Sequence, residues 1–294
     1  MKLLVTGASG LLGRKLVELA SGAGHNVYPV YNTHPLASSN TRQLDICDET
    51  AVNKLITETE PDAVMHAASI TDVDLCERDP GLAMRVNATA TGFVAKACRS
   101  TQSYMVYIST DYIFDGTRGR YREEDKPSPI NAYGRSKLLG ERQVSEHSTS
   151  CCIARTSVLY GWGRMYRPNF ASWIFDKLRT NEAMNVIVDQ FVSPTLNSSL
   201  AAMLLEVADR RVEGIMHLAG ATRISRWEFA LRLARTFGLN EKLLIPARSE
   251  SMRWKARRPS DSSLDVSKAL ETLNNKPAPI DEALKQFARE APKP

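Results

Sequence analysis

The sequence predicts an α/β fold built on a doubly wound parallel sheet that is covered by helices on both faces. Along residues 1–110, short apolar segments rich in valine and isoleucine alternate with amphipathic segments of helical length. This alternation is typical of right-handed βαβ units. A second observation is a glycine-rich turn directly after the first apolar segment. In doubly wound folds that turn precedes the first helix and binds a dinucleotide, so we interpret the sheet as Rossmann-type.

The predicted elements follow one another without internal repeats. Strands are expected at "KLLVTG", "NVYPVY", "AVMHAA" and "YMVYIST", and helices are expected to start near Leu11, Glu49 and Leu82. After "CCIARTS" the alternation loosens, and the further predicted elements are a strand at "IMHLAG" and helices over about 169–179, 196–210, 227–237 and 280–289. We therefore assign 1–157 and about 195–219 to a dinucleotide-binding Rossmann domain. The remaining residues, about 158–194 and 220–294, are assigned to a smaller C-terminal α/β substrate domain.

Composition narrows the class of protein. A chain of 294 residues with 43% hydrophobic and 24% charged residues is ordinary for a soluble globular protein. The N-terminus lacks the apolar stretch of a signal peptide, and no run approaches the ~20 apolar residues of a membrane span. We therefore expect a cytoplasmic protein without a membrane partner. The five cysteines have no Cys-x-x-Cys spacing, which predicts reduced thiols and no metal site.

The net charge of +5 is mild, but the segment "RWKARRP" concentrates basic residues near the C-terminus. A solvated basic face and a site for an anionic substrate are both compatible with this segment. No nucleic-acid-binding motif accompanies it, so a nucleic-acid partner is not expected.

The glycine-rich turn "TGASGLLG" contains Gly7, Gly10 and Gly13 between the first strand and the first helix. Glycine allows backbone N–H groups to approach a pyrophosphate closely, and the start of a helix carries a partial positive charge. The spacing is G-x-x-G-x-x-G rather than G-x-G-x-x-G. Its position directly after the first strand favours a dinucleotide site over a plain turn.

The end of the second predicted strand indicates which dinucleotide is bound. An acidic residue about 20 positions after the glycine loop would bind ribose hydroxyls and favour NAD(H). Here the strand ends in Tyr31 and Asn32, and no acid follows directly. Arg14, just after the last glycine, can pair with a 2′-phosphate, although a solvated helix residue is the alternative. We predict NADP(H) as the cofactor, with NAD(H) tolerated.

The segment "KPSPINAYGRSKLLGE" predicts the start of a helix with Asn131 as its N-cap. Tyr133 and Lys137 are then four residues apart on one face of the first turns. A free phenol has a pKa near ~10, too high for efficient proton exchange near neutral pH. An ammonium group on the same face and the positive end of the helix dipole would both lower that pKa. The pair therefore makes chemical sense as a proton donor and the charge that tunes it.

A third catalytic group is expected at the end of the strand before this helix. "YISTDYIFDG" has Ser109, Thr110 and Asp111 at that position, and ligands of open parallel sheets bind at the carboxyl ends of strands. A hydroxyl there can hydrogen-bond a substrate carbonyl. Strand-end capping is the alternative role, but the nearby Tyr/Lys pair favours catalysis.

Together, "TGASGLLG", "STDYIFDG" and "NAYGRSKLLGE" resemble the extended short-chain dehydrogenase/reductase family. "DQFVSPT" at 189–195 and "RRPSDSSLD" at 257–265 further resemble motifs of dTDP-4-dehydrorhamnose reductases. The resemblance implies hydride transfer from NADP(H) to C4 of a dTDP-4-keto-6-deoxy sugar, a small-molecule partner. It implies Thr110, Tyr133 and Lys137 as catalytic residues, with Tyr133 protonating the new alkoxide. A monomer or homodimer is expected.

The resemblance also implies two sets of binding residues. Those expected to contact the cofactor are Gly7, Ser9, Gly10, Leu11, Leu12, Gly13, Arg14, Tyr31, Asn32, Asp45, Ile46, Ala67, Ala68, Ser69, Tyr133 and Lys137. Those expected to contact the substrate, besides the 189–195 loop, are Thr71, Asp72, Asp111, Asn169 and Arg258.

Two alternative functions stay open. The chain also resembles the β-subunit of methionine adenosyltransferase, which implies a regulatory subunit that binds NADP(H) without turnover. A sugar-nucleotide epimerase or dehydratase on the same scaffold is the other alternative. A dehydratase is disfavoured because Asp111-Tyr112, rather than Asp-Glu, follows the strand-end threonine.

Overall fold

The computed structural model of the protein describes residues 1–36, 40–163 and 168–292. Its strands are β1 Lys2–Thr6, β2 Asn26–Tyr31, β3 Arg42–Gln43, β4 Ala63–His66, β5 Tyr104–Thr110, β6 Cys151–Thr156, β7 Leu159–Tyr160, β8 Met184–Ile187, β9 Phe191–Val192, β10 Thr195–Leu196, β11 Gly214–His217, β12 Ile224–Ser225 and β13 Leu244–Ala247. Its α-helices are α1 Leu11–Gly22, α2 Glu49–Thr59, α3 Val73–Arg78, α4 Pro80–Met84, α5 Ala90–Ser100, α6 Ala132–His147, α7 Phe170–Arg179, α8 Asn197–Asp209, α9 Arg226–Thr236, α10 Ser267–Thr272 and α11 Ile280–Arg289.

The central sheet has the order β11-β6-β5-β4-β1-β2-β3, and each neighbouring pair is parallel. The strand order reverses at β1, which pairs with β2 on one side and β4 on the other. This arrangement confirms the predicted doubly wound α/β fold. Ligands of such sheets bind beyond the carboxyl ends of the strands at the reversal point.

The helix predicted from about Leu82 begins earlier and is not uniform. Pro80 is the first residue of α4, and the Asp79 side chain accepts a hydrogen bond from the Leu82 N–H, so the helix has both a proline start and a cap. A π-helical turn over Arg85–Thr89 then joins α4 to α5. A π-helical turn contains one more residue than an α-helical turn, and such insertions are common near functional sites. The loop predicted before α7 includes residues 164–167, which lie outside the described residues.

Apolar residues form two clusters against the faces of the central sheet and another among the C-terminal elements. The third cluster joins α7, α9 and α11 around Phe229, Leu233 and Phe287, which are buried. One stretch differs from the predicted division of the chain. Ala269 and Leu273, assigned to the substrate part, pack in a cluster of the central sheet. Sequence order alone gave no signal that the chain returns to the sheet here.

Two further properties of the described chain bear on function. Within the described ranges, no helix combines the length and the apolar character that crossing a membrane requires. All five cysteines are free thiols, and Cys76, Cys98 and Cys152 are buried.

Candidate active site

The glycine loop brings the end of β1 against the end of β4. Gly7 has φ +66°, and a Cβ there would lie 2.7 Å from the Ala68 nitrogen, so only glycine allows this approach. Helix α1 starts after Gly10, which offers no side-chain cap, and its first turn contains no acidic residue. The N-cap residue therefore leaves the N–H groups at the start of α1 available to a phosphate.

Gly13 packs α1 against the loop, and a substitution there should be damaging. An alanine Cβ at this position would lie 2.2 Å from the Gly7 carbonyl oxygen and 2.7 Å from the Ala8 Cα, both backbone atoms that cannot rotate away. Gly13→Ala should therefore lower the free energy of unfolding by roughly 1–3 kcal/mol, as overpacking does, and weaken NADP(H) binding. Gly22→Ala, in the same helix but with open space around it, is the matched control. Thermal unfolding and NADPH fluorescence titration measure both, and equal effects in the two variants would contradict this account.

A cavity of about 640 Å³ opens beside the glycine loop and the carboxyl ends of β2 and β4. Its volume is in the range of small-molecule and cofactor sites. The predicted cofactor-binding residues that line it are Gly7, Ser9, Gly10, Tyr31, Asn32, Asp45, Ile46, Ala67, Ala68 and Ser69. Gly10 keeps the turn compact, because a Cβ there would lie 3.2 Å from the Gly7 carbonyl oxygen. The cavity therefore has the size, the glycine cradle and the helix start that a dinucleotide requires.

Six predicted cofactor residues do not line this cavity: Leu11, Leu12, Gly13, Arg14, Tyr133 and Lys137. The side chains of Leu11 and Leu12 are buried in the protein, so only their backbone groups could reach a pyrophosphate. Gly13 packs against the loop. Arg14 donates from Nε to the Ser9 carbonyl oxygen at 3.0 Å, which holds the guanidinium beside the loop. The other four N–H donors of Arg14 are not used in that contact.

The cavity also has lining residues that the sequence did not reveal. Leu44 and Val86 add apolar surface, and Arg85 adds a cationic side chain from the π-helical turn. Burial raises the pKa of the Cys47 thiol, which Asp45 raises further and Arg85 opposes. No local pattern distinguishes a π-helical turn from an ordinary helix, so Arg85 could not be predicted to face this cavity.

Helix α6 starts where the sequence predicted. Asn131 caps α6, with its Oδ1 accepting from the Gly134 N–H at 2.8 Å. Its Nδ2 donates to the Arg257 carbonyl oxygen at 2.9 Å, which ties the helix start to the basic C-terminal segment. Tyr133 and Lys137 then lie in the first turns of α6.

The strand-end hydroxyls before this helix have different partners. Thr110 is near enough to the Tyr133 phenol to lower its pKa, and its Oγ1 donates to Asp111 Oδ1 at 3.0 Å. Ser109 instead donates to Glu141 Oε1 at 2.5 Å, on the other side of the strand. Alternate residues of a strand face opposite ways, so only one hydroxyl can face Tyr133. The structure brings Thr110, and not Ser109, to the tyrosine.

The electrostatics of the pair differ from the sequence-based expectation. Burial raises the pKa of Tyr133 above its ordinary value, and the nearby Thr110 hydroxyl is the main group that opposes this rise. The Lys137 ammonium donates to the Ile108 carbonyl oxygen at 2.7 Å and lies 4.2 Å from the centre of the Tyr107 ring. Burial therefore acts against the predicted lowering of the Tyr133 pKa by Lys137 and the helix dipole.

Lys137 should make protein stability depend on pH. Burial lowers its pKa from 10.5 to about 7, with Glu141 opposing, and the residue is only 2% exposed. A lowered lysine pKa means that the folded state binds fewer protons than the unfolded state between these values. The native fold therefore gains stability from this group as the pH rises from about 7 to 10.5. Over this whole pH range, the contribution of Lys137 to the free energy of unfolding changes by roughly 3–5 kcal/mol.

Lys137→Met removes this titration. The variant should be more stable than the native protein below pH 7, and its advantage should shrink as the pH rises toward 10.5. Lys96→Met, at an exposed position, should show no such trend. Urea unfolding across this range, without added nucleotide, measures the difference. An advantage that is flat or grows with pH would contradict the assignment.

Several predicted substrate residues already have structural partners. Asp72 caps α3 by accepting from the Leu75 N–H at 2.9 Å, and Asn169 caps α7 by accepting from the Ser172 N–H at 3.2 Å. Thr71 is exposed beside Asp72. The Asp72 and Asn169 side chains are held at the helix starts, so a substrate contact from either of them stays a prediction.

The other two predicted substrate residues are also held by partners. The buried Asp111 carboxylate accepts from Ser157 at 2.8 Å and from Ser262 at 2.6 Å, and burial raises its pKa. Arg258 forms an ion pair with Asp74 at 3.1 Å. Asp111 thus connects the end of β5 to the C-terminal segment that contains Ser262.

A buried asparagine that the sequence did not reveal links the segment after β4 to α6. Asn87 is fully buried in the π-helical turn. Its Oδ1 accepts from the Ile70 N–H at 2.8 Å, and its Nδ2 donates to Ser136 Oγ at 3.0 Å. This side chain therefore holds the segment after β4 in register with α6.

Comparisons with known proteins give matches over nearly the whole chain. The family model described as RmlD substrate binding domain matches residues 1–292. The probable low-salt glycan biosynthesis reductase Agl14 of Haloferax volcanii is 35% identical, over 91% of this chain and 90% of that protein. Methionine adenosyltransferase 2 subunit beta of Mus musculus is 34% identical, over 92% of this chain and 82% of that protein.

The chain is also similar in three-dimensional fold to a solved structure. The dTDP-4-dehydrorhamnose reductase of Bacillus anthracis, solved in complex with NADP, has a TM-score of 0.89 and 30% identity over 99% of both chains. The family match, the parallel sheet and the Thr/Tyr/Lys site all point to one classification. The chain belongs to the family of the RmlD substrate binding domain and, with it, to the extended short-chain dehydrogenase/reductases.

Proposed function

We propose that this protein is an NADP(H)-dependent reductase that acts on the C4 ketone of a dTDP-4-keto-6-deoxy sugar. The observation that carries the proposal is the grouping of Thr110, Tyr133 and Lys137 at the same edge of the sheet as the dinucleotide-sized cavity. Family membership supports the coarser part, an oxidoreductase acting on a sugar nucleotide. The NADP complex of the Bacillus anthracis relative, a dTDP-4-dehydrorhamnose reductase, supports the finer part.

The cavity favours NADP(H) over NAD(H) on its ribose side. β2 ends at Tyr31 without an acidic residue to bind the ribose hydroxyls. Arg14 lies at the start of α1, and its contact with the Ser9 carbonyl oxygen uses the Nε donor alone. A 2′-phosphate is the anion that such a fork binds well.

Each catalytic side chain has a distinct role in the proposed reaction. When bound, NADPH supplies the hydride that reduces the ketone carbon. Tyr133 donates its phenolic proton to the ketone oxygen as negative charge develops there. Thr110, held by Asp111, positions that oxygen beside the phenol. Lys137, fixed on the Ile108 carbonyl oxygen, stabilises the phenolate that remains and binds the ribose hydroxyls.

A regulatory role is the second candidate, because methionine adenosyltransferase 2 subunit beta proteins match 92% of the chain at 33–34% identity. Such a subunit would bind NADP(H) through the same cavity. Because Tyr133, Lys137 and Thr110 can be retained without turnover, their presence alone does not separate the two functions.

The deciding experiment measures NADPH oxidation by the native protein with a freshly prepared dTDP-4-keto-6-deoxy sugar. dTDP-glucose, which has no ketone, is the matched control substrate. We expect NADPH to be consumed with the keto sugar and not with dTDP-glucose. Tight NADP(H) binding without turnover of any 4-keto sugar nucleotide would overturn the reductase and favour the regulatory subunit.

A further inference from the structure

Arg226 and Gln190 form a fixed pair beside the catalytic residues. Arg226 is the first residue of α9, and Gln190 lies between β8 and β9. The Arg226 backbone N–H donates to the Gln190 carbonyl oxygen at 3.0 Å, and Arg226 Nε donates to Gln190 Oε1 at 3.0 Å. Two bonds between the same residues hold the guanidinium in one orientation.

Beyond their mutual contact, Arg226 and Gln190 offer N–H donors to a ligand. A guanidinium can only donate, so the amide atom of Gln190 that faces Arg226 Nε must be the oxygen. The amide nitrogen therefore points elsewhere, and it has no hydrogen-bond partner in the described parts of the chain although Gln190 is only 3% exposed. A buried donor of this kind calls for an acceptor from a ligand or an ordered water.

The positive charge of Arg226 is also less compensated than that of its neighbour. Arg258 forms an ion pair with Asp74, whereas the ion pairs within the described ranges include none with Arg226. The charge of Arg226 acts to lower the pKa of Asp111, but the Asp111 oxygens already accept hydrogen bonds from the hydroxyl groups of Ser157 and Ser262. The guanidinium lies 4.9 Å from the centre of the Phe170 ring, the first residue of α7. The starts of two helices therefore add positive potential around it.

The Tyr112 side chain links Arg226 to Tyr133, the proposed proton donor. Arg226 is close enough to the Tyr112 hydroxyl to lower its pKa, although burial leaves that pKa raised. The Tyr112 and Tyr133 rings meet edge to face with centroids 5.8 Å apart. A molecule that reaches Tyr133 with one end can therefore meet Arg226 with another part.

We propose that Arg226 and Gln190 bind the diphosphate of the sugar nucleotide whose keto group meets Tyr133. The inference rests on the proposed function and adds the residues that hold the substrate. A pair offering only donors and one positive charge suits an anion with several oxygens. In a dTDP-4-keto-6-deoxy sugar, the diphosphate is the only anionic part.

The test measures binding of dTDP by calorimetry in the presence of saturating NADP⁺, and so does not require turnover. Arg226→Gln should weaken dTDP binding by about 10- to 100-fold, the loss expected for a charge-assisted hydrogen bond. Gln190→Glu, which keeps the side-chain shape but adds a negative charge beside Arg226, should also weaken it. Arg235→Gln, the same change at an exposed position of α9, should bind dTDP like the native protein. Thymidine, without phosphate, should not distinguish Arg226→Gln from native.

Three results would overturn the inference: no dTDP binding by the native protein, native-like binding by Arg226→Gln, or equal losses in Arg226→Gln and Arg235→Gln. Unchanged NADP⁺ affinity in each variant shows that the fold is retained. If dTDP binding depends on Arg226 but NADPH is not oxidised with any 4-keto sugar, the inference holds while the reductase function fails.

Discussion

Replacing Tyr133 by phenylalanine should lower kcat/KM for NADPH-dependent ketone reduction by about 10²- to 10⁴-fold, the usual contribution of a positioned proton donor. The variant keeps the ring that packs edge to face on Tyr112 and loses only the hydroxyl beside Thr110. Its NADP(H) affinity should stay close to native, since the cavity beside the glycine loop is unchanged. Steady-state kinetics and an NADPH titration measure the two quantities separately.

Tyr28→Phe is the matched control for this result. Tyr28 lies on β2, and its hydroxyl accepts from Asn26 at the protein surface. The same chemical change there should leave kcat/KM unchanged. Activity of Tyr133→Phe within tenfold of native would show that another group donates the proton.

The second large effect is expected on stability, when a buried ion pair between β6 and α6 is broken. The side chains of Arg155 on β6 and Glu141 on α6 are 3% and 5% exposed, and Arg155 Nη2 and Glu141 Oε2 are 2.8 Å apart. Glu141 also accepts from Ser109, so the pair joins β5, β6 and α6. Arg155→Met should lower the free energy of unfolding by about 3–5 kcal/mol, because it leaves a carboxylate buried without its cation.

Urea unfolding at neutral pH measures this loss, with Arg118→Met as the control. Arg118 pairs with Asp125 at the surface with its side chain 61% exposed, so its removal should cost about 0–1 kcal/mol. Replacing both buried partners, as in Glu141→Leu with Arg155→Met, should recover most of the loss. A cost below that of Arg118→Met would show that the buried pair does not hold these elements together.

Local sequence signals predicted much of the fold and part of the site. The capping asparagine and the prolines before it marked the start of α6, because a helix start depends on neighbouring residues. The apolar strand that ends at Thr110 was likewise readable from its own residues. The four-residue spacing of Tyr133 and Lys137 needed no tertiary information.

Other features depend on tertiary contacts that local patterns do not encode. Asn87 acts across distant segments through a π-helical turn, and Arg226 finds Gln190 from 36 positions away. Asp72 and Asn169 were predicted to contact substrate, and the structure has both as helix caps. The same side-chain type serves either purpose, and only the position of the following N–H groups distinguishes them.

The most direct test of the proposed reaction follows the hydride itself. The native protein is incubated with a dTDP-4-keto-6-deoxy sugar and NADPH carrying deuterium at the transferable position of the nicotinamide, and the product is analysed by mass spectrometry and NMR. The proposed reductase predicts one deuterium at C4 of the sugar and an equal amount of NADP⁺. A product without deuterium at C4, or no product while NADPH stays bound, would contradict it.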